Sequence, residues 1–284
     1  MIKHTIKLFL EYNRAIARRA LRQKDFGNFQ VKGMYESKDF VGNYISELEL
    51  QPPEAEILEE LRSELPTLKM LDIGVGAGRT TQHFARLAKE YIGIDYSSTM
   101  IEACRKKFPQ YRLEVADARN LSIFDDAYFD FILFSFNGID AVEHEDRLKI
   151  LREIRRVIRN GGYFCFSTLN LNSRRRRRPV TFYKNPLLML FDVYNFLLNG
   201  NFSKNTNNEH EMIFLKYRDF LTRLYFIVPN EQLKQLEAFG FSDTKVYDLN
   251  NGKAVSDTTN MLDYWVYFLT KALKMASKEY IKMD

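Results

Sequence analysis

The residues best suited to chemistry cluster in one decapeptide, Leu71-Asp72-Ile73-Gly74-Val75-Gly76-Ala77-Gly78-Arg79-Thr80. Three glycines at alternate positions form a turn whose backbone angles side chains forbid, and they let a ligand approach the main chain closely. Met70, Leu71 and Ile73 read as the end of a buried parallel strand, and Thr80 to Lys89 as the helix that follows. The N-terminus of that helix would offer free N–H groups and a positive dipole end. Such a loop holds something nucleotide-like. The dinucleotide pattern G-x-G-x-x-G fails, because the sixth position from Gly74 is Arg79, and no lysine follows where a phosphate loop needs one. A second strand, Tyr91-Ile92-Gly93-Ile94-Asp95, ends on an acid that can accept hydrogen bonds from both ribose hydroxyls. Met100, one turn into a helix capped by Ser97, offers a thioether to a purine.

The pattern Asp72-x-Gly74-x-Gly76-x-Gly78 closely resembles motif I of the class I S-adenosylmethionine-dependent methyltransferases. The resemblance implies that the loop cradles the amino-acid end of S-adenosylmethionine. Arg112 to Ala116 makes a third strand, followed by Asp117-Ala118. In that family an Asp here accepts from the adenine amino group while the next backbone N–H reads a ring nitrogen. The expected cofactor-binding set is Asp72, Gly74, Gly76, Gly78, Asp95, Tyr96, Met100, Asp117, Ala118 and Ser135. The helix Glu145 to Ile158, closed by Arg159-Asn160-Gly161-Gly162, resembles the family's R-V-L-K-P-G-G segment, with Ile158 for Leu and Asn160 for Pro.

Phe129 to Ser135 is nearly all apolar, as a central parallel strand should be, and opens onto Phe136-Asn137-Gly138-Ile139-Asp140. Ligands bind at that edge of an open parallel sheet. The Asn/Asp-Pro-Pro-Tyr tetrapeptide of amino-methyltransferases acting on planar amides and adenines is absent, which argues against those acceptors. Methyl transfer from a sulfonium needs proximity and excluded solvent, and a hydroxyl or carboxyl acceptor adds a general base. His144 is the expected base, with Asn137 and Asp140 contacting substrate; a surface role for His144 at a helix start stays open. His210 on the inserted segment is a second candidate. Tyr225 points back to the site or packs in the core. No His/Cys/Asp cluster has ligand spacing, so no metal is expected. Cys104 and Cys165 read as buried reduced thiols.

The elements that must position these residues follow a strand–helix alternation from Lys69 onward, which predicts a doubly wound α/β fold with a seven-stranded, mostly parallel sheet. Its last strand, Tyr264 to Thr270, is expected to be antiparallel, beside a sixth strand at Ser242 to Leu249. Residues 1–50 read as a helical and aromatic extension and 51–170 as the cofactor-binding core. Residues 171–222 read as an inserted helical cap, and 223–284 as the rest of the sheet with a C-terminal helix. A formal charge of +5 and a pI near 9.0 do not suit a dedicated nucleic-acid coat. With no secretory leader pattern and no apolar run of the ~18–20 residues a membrane span needs, a cytoplasmic protein acting on a small molecule is expected. Arg174-Arg175-Arg176-Arg177-Arg178 reads as a solvated loop or as a polyanion contact, to a phosphorylated or lipid-linked substrate, a peripheral membrane or RNA. A non-catalytic cofactor-binding regulator is the other alternative, and the oligomeric state is left open.

Overall fold

Short apolar runs bounded by turn residues form the strands of one sheet. The computed structural model describes residues 49–176, 208–217, 220–259 and 261–273. In chain order the strands are β1 (Lys69–Ile73), β2 (Glu90–Asp95), β3 (Arg112–Val115), β4 (Phe129–Phe134), β5 (Ile158–Asn170), β6 (His210–Tyr217), β7 (Phe220–Ile227), β8 (Phe241–Tyr247), β9 (Ala254–Val255) and β10 (Trp265–Ala272). The helices are α1 (Pro52–Leu61), α2 (Thr81–Phe84), α3 (Ser98–Lys107), α4 (His144–Val157), α5 (Leu171–Arg176) and α6 (Pro229–Ala238). The sheet runs β3-β2-β1-β4-β5-β10-β8-β9, with β7 added on β5 and β6 on β7.

Strands β1 to β5 are parallel, and β10 lies antiparallel between β5 and β8. The doubly wound α/β expectation with an antiparallel ending holds. The ten strands among the described residues exceed the expected seven by the β6–β7 hairpin and the two-residue β9. From β1 the chain winds outward to β2 and β3, then returns to place β4 on the other side of β1. That reversal opens a crevice at the carboxyl ends of β1 and β4.

The pleat sends alternate side chains to two cores. Leu71, Ile73, Ile132, Phe134 and Phe166 face α4 residues Ile150, Leu151 and Ile154. Met70, Phe131, Leu133, Cys165 and Tyr267 face Ile57, Leu61 and Phe84. Both cysteines are free and buried, as expected.

Two local expectations need correction. The helix expected from Thr80 to Lys89 is the single turn Thr81–Phe84. Its continuation is diverted because Lys89 N donates to the carbonyls of Leu65 and Leu68, starting β2 beside β1. A one-turn helix brings little dipole to the loop. Gly161-Gly162 is also not a helix stop, because α4 ends at Val157 and Ile158 is already extended. The glycines sit within β5, where a Cβ on Gly162 would approach the Asp130 carbonyl at 3.0 Å.

The placement of β7 matters most for function. One edge of β5 pairs with β4 as far as Phe166, and Leu169 and Asn170 pair with β7. Its other edge is occupied by β10, which reaches Leu169 through Trp265. The β6–β7 hairpin therefore lies just beyond the carboxyl end of β4. Within the segment expected as a helical cap, the described residues are the short α5 and this hairpin; residues 177–207 lie outside the described set. So do the expected extension over residues 1–48, the C-terminal helix over 274–284 and, in the arginine run, Arg177 and Arg178.

Candidate active site

The glycine loop leaves β1 with Gly74 at φ +70°, Gly76 at +54° and Gly78 at +93°. Gly74 and Val75 donate to the Ile94 carbonyl at 2.7 and 3.1 Å, tying the loop to β2. The three glycines do different things. A Cβ on Gly78 would sit 2.5 Å from the Phe108 ring and 3.0 Å from Cys104 Sγ, so this glycine permits helix packing. A Cβ on Gly76 would meet nothing within 4 Å, so its backbone faces open space. Val75, Ala77, Gly78, Arg79 and Thr80 are buried while Gly74 is exposed and Gly76 half-buried. Among residues 74–80, only Gly74 and Gly76 offer appreciable surface, and that surface is mostly main chain.

Beneath the loop lies Asp95, whose Oδ2 accepts from Gly76 N at 3.0 Å and Oδ1 from Ser97 N at 2.8 Å. Burial pushes its carboxyl up to about 6 against those two hydrogen bonds. Ser97 also caps α3, accepting from Met100 N at 3.3 Å. Asp72 braces the loop from inside: its Oδ2 accepts from Thr80 Oγ1 at 2.6 Å and Tyr91 Oη at 2.7 Å. Burial raises that carboxyl to about 7.

Several expected contact residues are not available as placed. Asp72 is 1 % exposed and serves the loop rather than a ligand, and Met100, fully buried, has no face to offer a purine. Ser135 donates to Glu54 Oε1 in a buried cluster instead of facing the crevice. Asp140 is fully buried: Oδ1 takes Arg147 Nη1 at 2.5 Å and Thr168 Oγ1 at 2.7 Å, and Oδ2 takes Leu169 N at 2.7 Å. Desolvation raises its carboxyl to about 6, with the Arg147 charge opposing. This aspartate locks the β4–α4 turn onto β5 and α6, and has no surface for a substrate.

Asp117 and Ala118 follow β3 as expected. Asp117 accepts from Arg119 N at 2.9 Å and Nη2 at 2.6 Å, while Arg119 Nη1 bridges to Asp146 at 2.7 Å. An adenine amino group would share Asp117 with Arg119. Tyr96 and Ala118 flank the same edge in sequence. Asn137 and Phe136 both have positive φ, +60° and +55°, conformations that cost side-chain-bearing residues of order 1–3 kcal/mol each. Asn137 N donates to Ser167 Oγ at 2.8 Å, and its buried Oδ1 has no hydrogen-bond partner. The turn thus holds an amide carbonyl in reserve at the carboxyl end of β4.

At the start of α4, His144 Nδ1 lies 2.8 Å from Tyr225 Oη. The His210 ring stacks on His144 with centroids 4.1 Å apart and planes at 5°. Three candidates from separate parts of the sequence meet here. Burial, then the His210 charge, lowers the His144 pKa below its ordinary value.

The chain resembles known methyltransferases over much of this frame. Residues 70–162 match the family model described as a methyltransferase domain. Over that stretch the chain is similar to a methyltransferase domain. A demethylmenaquinone methyltransferase from Thermotoga maritima is 35% identical over 105 residues, 36% of this chain and 44% of that one. A ubiquinone biosynthesis O-methyltransferase from Cereibacter sphaeroides is 34% identical over 127 residues, 42% and 49% of the two chains. The match therefore spans less than half of either relative. Among solved structures, the CcbJ methyltransferase from Streptomyces caelestis shares the fold at TM-score 0.58 and 15% identity, covering 84% of this chain and 98% of that one.

Two features of the glycine loop's surroundings were missed from sequence. One is the Glu54–Arg79 ion pair, with Oε2 2.5 Å from Nη1 and Oε1 2.7 Å from Nη2, which anchors α1 behind the loop. A Pro-Pro-Glu helix start is a cap signal, but nothing local says that its glutamate pairs with Arg79. The other is Arg119, which shares a short turn with Asp117 and was legible by spacing alone. Among the described residues, no group of three or more His, Cys, Asp or Glu side chains is disposed to hold a metal. No described helix is long and apolar enough to cross a membrane.

Proposed function

We propose that the chain is an S-adenosylmethionine-dependent methyltransferase acting on a small molecule at oxygen or nitrogen. The open main chain over Gly76, directly above the Asp95 carboxylate, carries this reading. It fits an adenosine ligand bearing a charged amino-acid tail: Gly74 and Gly76 take the tail, and Asp95 takes the ribose hydroxyls in exchange for its Gly76 contact. Asp117 and Ala118 take the adenine edge, with Tyr96 beside them. S-adenosylmethionine supplies a methyl group activated on a sulfonium. The protein's part is to orient the acceptor, keep water out and receive a proton. Asn137, with its unpaired Oδ1, orients an acceptor bearing an O–H or N–H, and His144 receives its proton. The similarity to quinone-pathway methyltransferases supports a small-molecule acceptor.

Calorimetry with S-adenosylmethionine and S-adenosylhomocysteine tests the cofactor. Both are expected to bind the native chain, and Gly76→Arg, which fills the open space, should abolish binding while leaving the fold intact. Retained binding would mean that the loop is misassigned. Transfer of labelled methyl into a fractionated cell extract tests the acceptor. Label in the small-molecule or organic-extractable pool supports the reading, and label confined to nuclease-sensitive material overturns it.

A further inference from the structure

We propose that the stacked His144 and His210 rings form an acid-released latch, which pins the β6–β7 hairpin to the start of α4 and lets it go as the rings charge. The latch consists of contacts between α4 and the hairpin, so it holds whatever the crevice binds.

The hairpin needs a fastening of this kind. Among the described residues, β7 pairs with β5 at Leu169–Phe226 and Asn170–Ile227, and β6 pairs with β7 alone. Apolar packing adds Ile213 and Phe226 against Leu169 and Leu171. The remaining ties run from side chains of the hairpin to the start of α4. Arg223 Nη1 meets Glu143 Oε1 at 2.7 Å, and Tyr225 Oη lies 2.8 Å from His144 Nδ1. His210 stacks on His144 at 4.1 Å and 5°, and the Tyr225 ring lies 5.7 and 5.3 Å from the two imidazoles. His210 is the first residue of β6. The stack therefore holds the point at which the inserted segment rejoins the core.

Protons undo this contact in two ways. Two neutral imidazoles stack without penalty, but two imidazolium rings 4.1 Å apart repel. The second way runs through Tyr225. The Gln235 amide donates to its Oη, which leaves the phenol proton for His144 Nδ1. A charged His144 carries a proton on Nδ1 as well, so donor then faces donor. Any proton that His144 takes up, from water or from a bound molecule, acts against docking. Both rings are half-buried, so water reaches them, whereas Tyr225 is fully buried and has no other place to send its proton.

The surrounding charges set the direction. From α4, the Arg147 guanidinium lies 4.7 Å from the Tyr225 ring centroid and opposes a charge on His144, while Glu145 favours one. Glu143 is committed to Arg223. On the hairpin, Glu209 lies 3.6 Å from Lys234 Nζ, and Glu211 accepts from Asn208. From α6, Glu231 pairs with the same Lys234 at 3.0 Å. Burial, then the His210 charge, holds the docked His144 below the ordinary 6.5. The released ring returns to that ordinary value and so binds the proton first as pH falls. Docking is thus complete above about pH 7 and weakens progressively below about pH 6.5. Asp140, bound to Arg147 and raised to about 6, titrates in the same window, and the test separates it. Because the hairpin lies just beyond the carboxyl end of β4, its release widens the crevice on the side that holds Asn137.

The test is NMR of the full-length, cofactor-free chain with 13C-labelled histidine rings, four in all, assigned with His144→Gln. At pH 8, nuclear Overhauser contacts should join the His144 ring to the His210 and Tyr225 rings. Between pH 7 and pH 5 the native chain should lose them while the amide spectrum of β1 and β4 stays in place. His210→Phe keeps a stacking ring that cannot charge. In that variant the His144–Tyr225 contact should persist to lower pH, and the His144 midpoint should rise by ~0.5 pH unit, about threefold in proton affinity. Ring contacts that survive unchanged to pH 5 in the native chain overturn the proposal. So does a loss that His210→Phe reproduces in full, which would make Asp140 the switch. Should His210→Phe fail to fold, the native titration decides. The two rings must then take up protons in coupled steps, and independent uptake overturns the latch.

Discussion

Replacing Glu54 should damage a loop that lies 25 residues away in sequence. Its carboxylate is fully buried and holds the Arg79 guanidinium through two contacts, at 2.5 and 2.7 Å. It also accepts from Gln51 N at 2.7 Å and Tyr267 Oη at 3.0 Å, and from Ser135. Arg79 is 8 % exposed, so Glu54→Gln strands a cation that water reaches poorly. Breaking a buried pair from one side costs about 3–5 kcal/mol, because the surviving charge stays uncompensated. A domain has only about 5–15 kcal/mol in total, so the loss should appear as a large drop in the urea midpoint. Because Arg79 directly follows Gly78, affinity for S-adenosylmethionine should fall as well. The double variant Glu54→Gln with Arg79→Met removes both charges, and it should recover most of the lost stability. Urea unfolding of the two single variants and the double completes the cycle. A Glu54→Gln loss below about 1 kcal/mol, or a double variant no better than the worse single, would refute the view that this pair is a matched buried unit.

The glycines should separate by assay. Gly78→Ala forces a Cβ to 2.5 Å from the Phe108 ring at φ +93° and should cost about 2–4 kcal/mol in urea unfolding, whereas Gly76→Ala should cost only the ~1 kcal/mol of its backbone angle. Equal losses would mean that Phe108 yields. Asp72 keeps its proton in the folded chain up to about pH 7, while an unfolded aspartate loses it near 3.8. The folded state therefore binds more protons across that window, and stability relative to Asp72→Asn should be highest below pH 4 and fall until about pH 7. A difference that rises with pH would contradict the burial argument. Asp140→Ala should cost about 3–5 kcal/mol by stranding buried Arg147. Its activity at low temperature should track the folded fraction; a fully folded but inactive Asp140→Ala would restore a direct role for this carboxylate.

Sequence reading succeeded where structure is dictated locally. Alternate glycines with apolar flanks leave few options, and the runs Tyr91–Asp95 and Phe129–Ser135 reappear as strands within a residue because a buried parallel strand is apolar on both faces. It failed where the decision is made across the chain. The helix after the glycine loop looked ten residues long by composition, yet carbonyls of Leu65 and Leu68 end it early. Asp140 looked like a substrate contact because it follows β4; only the fold shows that Arg147, Thr168 and Leu169 already consume it. Residues 210–217 were read as part of a helical cap, because a hairpin strand beyond a sheet edge needs no continuous apolar run.

The same distinction explains why His144, His210 and Tyr225 each looked ambiguous alone. A histidine at a helix start, one on an inserted segment and a tyrosine in a strand are ordinary residues in ordinary places. What makes them a unit is that β5 is longer than its neighbour: β4 stops opposite Phe166, and β7 takes up the vacated edge at Leu169. The extra length of one strand thus carries a tyrosine and a histidine from the far side of the insert to the helix that begins where β4 ends. The glycine loop sits at the carboxyl end of the neighbouring strand β1. In this arrangement the β1–β2 side of the crevice holds a backbone cradle and a carboxylate, whereas the β4–β5–β7 side holds an amide carbonyl and an imidazole pair. On the proposed reading, cofactor binding and proton acceptance are separable by mutation. Gly76→Arg should remove the first, and Tyr225→Phe, which breaks the His144 contact, should slow methyl transfer while leaving affinity for S-adenosylmethionine unchanged.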